Sequence, residues 1–162
     1  MAEFFRSGEL YRIAMQMERT GLAFYTAVAE QSRDTSTRAV YEYLAASEKR
    51  HLKKFKKLWN TTGKSAPPES YRGEYRKYIK ALVKDRVFPS TAVAKSRAAK
   101  SGLSAALKTG IQAEKDSILF YTELMNLLPD PEKAAVRKIL SEEKRHLQRL
   151  LAYQTEYARC LR

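Results

Sequence analysis

A chain of 162 residues, 44% hydrophobic and 30% charged, is long enough to bury one sizeable core and is expected to form one domain. Its single cysteine, Cys160, rules out a disulfide framework, a Cys-x-x-Cys pair and any four-cysteine iron or zinc module within the chain. The start, Met1-Ala2-Glu3-Phe4-Phe5-Arg6, lacks the apolar run and cleavage site of a secretory signal, and no apolar stretch approaches the roughly 20 residues that span a bilayer, so a soluble, cytoplasmic protein is expected.

Ala, Leu, Lys, Glu and Arg dominate without regular strand alternation, which predicts an all-α fold. A first helix is expected from about Phe4 to Glu30, where Leu10, Ile13, Ala14, Met17, Phe24 and Val28 keep a helical period that Glu18 interrupts. Ser32-Arg33-Asp34-Thr35-Ser36 is the turn. A second helix follows from about Thr37 to Trp59, closed by Thr61-Thr62-Gly63 and Pro67-Pro68. Residues 63–101 are too many for a tight turn and suit a crossover running the length of a bundle. Within them, Tyr71 to Val87 has helical spacing, with Tyr71, Tyr75 and Tyr78 expected to pack between crossover and bundle. Phe88-Pro89-Ser90-Thr91 is a break, and a short Ala-rich helix holds Val93 and Ala94. A third long helix is expected from about Leu103 to Leu128. The fourth runs from about Glu132 to Ala158, with Asp130 as its cap and Pro131 in its first turn.

The two halves repeat one pattern. Glu18 precedes Glu48-Lys49-Arg50-His51 by 30 residues, and Glu114 precedes Glu143-Lys144-Arg145-His146 by 29. Phe24-Tyr25-Thr26 and Phe120-Tyr121-Thr122 recur at matching positions. In each half the best turn signal, around Asp34 or at Pro129-Asp130-Pro131, falls near the midpoint between the Glu and the Glu-x-x-His. An antiparallel hairpin folded there brings both ends to one height, about 20 Å from the turn at roughly 1.5 Å per residue. Glu and His at i and i+3 share a helix face. Two such hairpins, face to face, put four carboxylates and the chain's two histidines in one layer, the inventory a four-helix bundle uses to hold two metal ions. A single Glu-x-x-His usually marks a solvated face; the duplication makes the metal reading far stronger. Tyr25 and Tyr121 each lie seven residues after a site Glu, so each is placed to hydrogen-bond a metal-binding carboxylate. Carboxylate and imidazole donors without thiolates suit Fe(II) or Mn(II).

With these residues in place the chain resembles the ferritin-like di-iron carboxylate superfamily, and within it the rubrerythrin family, over roughly residues 8–155. The segment Glu114-Lys115-Asp116-Ser117-Ile118-Leu119-Phe120-Tyr121 is typical of the family's third long helix. The resemblance implies a ferritin-like four-helix bundle with a long, partly helical crossover. It implies two iron ions held by Glu18, Glu48, His51, Glu114, Glu143 and His146, with Glu48 and Glu143 bridging and Tyr25 and Tyr121 behind them. It also implies a non-haem di-iron oxidoreductase that reduces peroxide or O2 with electrons from an external donor or from Fe(II), and a homodimer. Two departures bear on activity. Family members that reduce peroxide usually carry a further carboxylate one turn after the third-helix Glu, and here that position is Ser117. Asp116 points about 100° away. The rubredoxin module that supplies electrons is not in this chain, which leaves an external, acidic rubredoxin-like donor as the expected partner.

The charge of +13 completes the reading. Basic residues gather in Lys49–Lys57, Arg72–Arg86 and Lys95–Lys100. If the four glutamates are neutralised by two divalent ions, the outer surface stands near +17. Such a surface attracts nucleic acid, an acidic redox partner or simple anions, but no nucleic-acid recognition motif is present. A solvated basic surface is the expectation. Ferroxidase activity feeding an iron store, and a basic protein protecting nucleic acid, are the alternative functions.

Overall fold

Apolar stripes of helical period dictate long helices, and glycine, proline and aspartate punctuation decides where they fold back. The computed structural model describes residues 7–62, 73–86, 88, 90–100 and 102–160, and the regular structure among them is entirely α-helical. In chain order the elements are α1 (Ser7–Gln31), α2 (Thr35–Thr62), α3 (Gly73–Asp85), α4 (Thr91–Lys100), α5 (Leu103–Leu127) and α6 (Asp130–Cys160). α1 packs along α2 and α5 along α6, while α1 meets α5 and α2 meets α6 to close a four-helix bundle. The connecting α3 lies on α5 and α4 on α1. This is the expected ferritin-like bundle with a partly helical crossover. Of the expected boundaries, Phe4, Gly63, Pro67-Pro68 and Tyr71 lie outside the described residues.

The first hairpin turn is built by Asp34. Its Oδ2 accepts from the Thr37 backbone N–H at 2.7 Å, from Thr37 Oγ1 at 2.7 Å and from Ser36 Oγ at 2.7 Å, satisfying one first-turn backbone donor of α2 and two hydroxyls. Those bonds, the Thr37 N–H foremost, draw the Asp34 carboxyl down to about 2. The second hairpin turns differently from expectation. α6 begins at Asp130 itself, the Pro129 carbonyl accepts from the Glu132 and Lys133 N–H groups, each at 3.0 Å, and the Asp130 side chain is exposed, 3.6 Å from Lys133 Nζ. Pro129 therefore takes the cap position and Pro131 the second helical one. Two prolines at this corner set the backbone without a side-chain acceptor. Glu132 is drawn inside, where it accepts a hydrogen bond from Tyr11 of α1.

The core is in two pieces. One, around Leu10, Phe55, Ile79, Leu124 and Ile139, fills the end where α1 and α6 start. The other, around Phe24, Tyr41, Leu44, Phe88, Leu107 and Leu150, fills the opposite end. Between them lies a layer of buried polar side chains. The crossover contributes Ile79, Phe88, Ala94 and Ala98 to these cores. Tyr78, expected to pack inward, is 43% exposed, and its hydroxyl donates to Glu123 of α5 at 3.4 Å. It lies one residue off the inward stripe that Ile79 occupies; the side chain of Tyr75 is outside the described residues.

Candidate metal centre

The buried polar layer consists of the six residues the repeat singles out. Glu18 projects from α1, Glu48 and His51 from α2, Glu114 from α5, and Glu143 and His146 from α6, and each is at most 5% exposed. Their donor atoms form two overlapping groups, Glu18, Glu48, His51 and Glu143, and Glu48, Glu114, Glu143 and His146, with the atoms of each group within 4.8 Å of one another. Glu48 and Glu143 belong to both. Glu143 offers one oxygen to each histidine: Oε1 lies 2.7 Å from His51 Nδ1 and Oε2 lies 3.0 Å from His146 Nδ1. His51 Nδ1 is also 3.5 Å from Glu18 Oε2, and His146 Nδ1 is 3.7 Å from Glu114 Oε2. The imidazoles lie nearly parallel, with centroids 5.7 Å apart and planes at 24°.

Burying four carboxylates together is costly unless something positive joins them. Burial pushes Glu18 and Glu48 well above the usual carboxylate range, with the neighbouring Glu143 charge adding to it. Burial and Glu143 likewise raise Glu114 to about 8. Glu143 goes the other way: burial opposes its charge, but His146 and His51 on its two oxygens hold it well below the usual range. Burial would lower both histidines, yet the carboxylates outweigh it and lift His51 to about 9 and His146 to about 10. Without a cation the layer thus holds protons that a metal would replace. Among the described residues, Glu18 Oε2 and Glu114 Oε2 are buried without a hydrogen-bond partner, and the close pair Glu143 Oε1 and His51 Nδ1 meets without hydrogen-bond geometry. Buried polar atoms seldom stay unpaired. Facing inward from four helices, these are donors suited to divalent cations, and the residues fit two ions.

The groups around the layer hold it in place. The tyrosines cross over: Tyr25 of α1 donates to Glu114 of α5 at 2.5 Å, and Tyr121 of α5 donates to Glu18 of α1. Burial and the adjoining carboxylates push both phenols well above their ordinary range, so they remain donors. Gly21, one turn after Glu18, leaves room for Glu48: a Cβ there would stand 3.2 Å from Glu48 Oε2.

The repeat did not reveal an asymmetry between the two histidines. His51 Nε2 lies 3.0 Å from Glu142 Oε2, and Glu142 Oε1 accepts from Lys54 at 2.8 Å. Burial would raise the Glu142 carboxyl, but Lys54 and His51 bring it down to about 2. In the first half Ser47 stands where Glu142 stands in the second, and it accepts from Arg50 at 3.1 Å. His146 Nε2 has no hydrogen-bond partner among the described residues. Its ring meets Tyr43 edge to face, at 5.9 Å between centroids and 89° between planes, and Arg149 lies 3.9 Å over the Tyr43 ring. The adjacent acidic residue in Glu142-Glu143 was the only sequence signal for the His51 contact. A narrow cavity opens beside the layer, lined by Gly21, Glu48, Arg86, Glu114, Asp116 and Ser117, with about 20 Å³ of room for water-sized molecules.

Four helices delivering two Glu and two Glu-x-x-His groups to one layer decide the comparison. The Rubrerythrin family model matches residues 9–154. The chain belongs to the rubrerythrin family. A solved structure from Thermotoga maritima, named as a ferritin-like diiron-carboxylate protein, is 26% identical, with 97% of this chain and 99% of that one aligned at a TM-score of 0.72. A DUF305 fragment from Deinococcus radiodurans, 12% identical over 96% of this chain and 98% of that one, has a TM-score of 0.63 and shares the fold. No curated protein matches. No described helix of this rubrerythrin-family chain is long and apolar enough to cross a membrane.

Proposed function

We propose that this protein is a non-haem di-iron oxidoreductase that reduces peroxide or O2 with electrons from an external donor or from Fe(II). The observation that carries this reading is the pair of overlapping donor groups sharing Glu48 and Glu143. Only oxygen and nitrogen donors are offered, the set that suits Fe(II) and Mn(II) rather than soft ions. Glu18, Glu48, His51 and Glu143 would hold one ion and Glu48, Glu114, Glu143 and His146 the other. Two bound irons would together supply the electrons that a two-electron oxidant takes up.

The remaining work belongs to the protein. Tyr121 and Tyr25 fix Glu18 and Glu114 by hydrogen bonds from opposite helices. Glu142 holds the His51 ring through Nε2, leaving Nδ1 aimed inward. The two apolar clusters above and below the layer keep bulk water out. The cavity against Glu48 and Glu114 has space for one or two water-sized molecules, which supports small oxidants over bulky organic substrates. The charge of +13 supports an acidic protein as electron donor, and the homodimer is carried over from the family resemblance alone.

The test is metal analysis followed by anaerobic Fe(II) loading and separate challenges with peroxide and O2. Oxidation of the loaded site by either, and re-reduction by an added donor, is expected. A loaded site inert to both oxidants overturns the redox reading. Release of Fe(III) with continued Fe(II) consumption would assign ferroxidase activity instead.

A further inference from the structure

The cavity beside the metal centre contains a cation that the site does not explain. Arg86 leaves the C-terminal end of α3 and lines the cavity together with Glu48, Glu114, Asp116 and Ser117. Its Nε and Nη1 are buried and have no hydrogen-bond partner among the described residues. A guanidinium with two shielded, unmatched donors is costly to keep, and its geometry matches a planar oxyanion, which accepts two parallel N–H bonds. Burial also depresses its pKa, a sign of water already removed.

Of the carboxylates on its wall, Glu48 and Glu114 belong to the metal layer, and none of them, Asp116 included, accepts from Arg86 Nε or Nη1. Ser117 lies one turn after Glu114 on α5, on the cavity side, and offers a hydroxyl. Asp116 accepts from Gln112 at 2.8 Å. Four site glutamates with two divalent ions and neutral imidazoles carry no net charge, and Arg86 with Asp116 adds none, so the attraction for a monoanion is local, at the unmatched Nε and Nη1 donors. Formate, with three heavy atoms, is the closer match to room for one or two waters, and bicarbonate, with four, also needs the open side of the cavity.

We propose that Arg86 and Ser117 form a binding site for a small planar monoanion, a monocarboxylate or bicarbonate, seated against the Glu114 edge of the metal layer. The bound anion supplies the acceptor oxygens that Arg86 Nε and Nη1 lack among the described residues. The assignment rests on the metal reading above, so the experiment measures both.

Protein is loaded with Co(II), the metal content is determined, and sodium formate and sodium bicarbonate are titrated separately while the visible Co(II) bands are followed. Saturable spectral change at millimolar anion is expected, and the tighter of the two anions identifies the source. Arg86→Gln is expected to weaken binding roughly ten- to a hundredfold, the scale of a lost charge-assisted hydrogen bond. Arg86→Lys retains the charge and part of the affinity. Asp116→Asn removes the opposing charge and tightens binding. Ser117→Glu fills the position and abolishes the response. A Co(II) content well below two per chain overturns the metal reading and this proposal with it. Full loading with no response to either anion, or an affinity unchanged in Arg86→Gln, overturns this proposal alone.

Discussion

Replacing Glu142 with Gln is expected to loosen one of two bound ions and largely spare the other. The carboxylate sits 3.0 Å from His51 Nε2 and is itself held by Lys54 at 2.8 Å, so it fixes the ring and raises the basicity of the inward Nδ1. Losing such a partner typically costs 10–100-fold in metal affinity, about 1.4–2.7 kcal/mol. Glu142 is 21% exposed, so water competes for the ring and the lower end, about tenfold, is expected. His146 provides the internal comparison, because its Nε2 has no such carboxylate among the described residues.

The assay is calorimetric titration of metal-free protein with Co(II), fitted to two ions. In Glu142→Gln the step assigned to the His51 side should weaken about tenfold, and the other should shift far less, through the shared Glu48 and Glu143. Lys54→Met, which leaves the Glu142–His51 contact in place but removes its support, should weaken the His51-side step less than Glu142→Gln does and leave the other step unchanged. Unchanged affinities in Glu142→Gln, or an equal loss at both steps, would refute the reasoning and reduce Glu142 to an ordinary partner of Lys54.

Metal-free stability should fall as pH rises from about 5 to about 10. Glu18, Glu48 and Glu114 (about 8), and His51 (about 9) and His146 (about 10), all have raised folded values, so the stability they contribute is full below their unfolded values and is lost as pH rises through the folded ones. Glu143 is depressed and acts with the opposite sign, only at more acid pH. Calorimetric melting in chelator across this range checks the slope. Because a metal needs these groups deprotonated, binding should release protons and tighten with rising pH, measurable from the buffer dependence of the binding heat. Gly21→Ala should weaken metal binding, since the new Cβ meets Glu48 Oε2 at 3.2 Å, while in the metal-free protein a helix-propensity gain of up to about 1 kcal/mol offsets the same contact and leaves melting little changed; melting and titration on one sample separate the two effects.

Much of this was legible because the duplication encodes geometry within each hairpin. Distances from Glu18 to Glu48 and from Glu114 to Glu143 are set by helix rise and turn position, so the sequence placed all six residues in one layer. What lay across the bundle was harder to read. Tyr25 and Tyr121 were expected near a carboxylate, but their exchange, each serving the other hairpin's glutamate, depends on how α1 packs on α5. Glu142 reaches His51 only because α6 lies against α2. Arg86 comes from the crossover, which has no counterpart in the repeat to fix its direction. The turn at Pro129-Asp130-Pro131 was placed correctly but capped wrongly: a capping motif reads Asp130 as acceptor, whereas the paired prolines shift the helix start and leave that carboxylate in solvent. Tyr78 shows the limit of periodicity in a short amphipathic helix, where one position of drift turns a packed ring outward.

The central claim is that one layer holds two ions through two shared carboxylates. Its most direct test is metal content per chain after anaerobic Fe(II) loading and desalting, in the wild type and in Glu48→Ala/Glu143→Ala. Two irons per wild-type chain and none retained by a folded double variant are expected. A double variant that keeps two tightly bound irons would contradict the account and place the metal elsewhere.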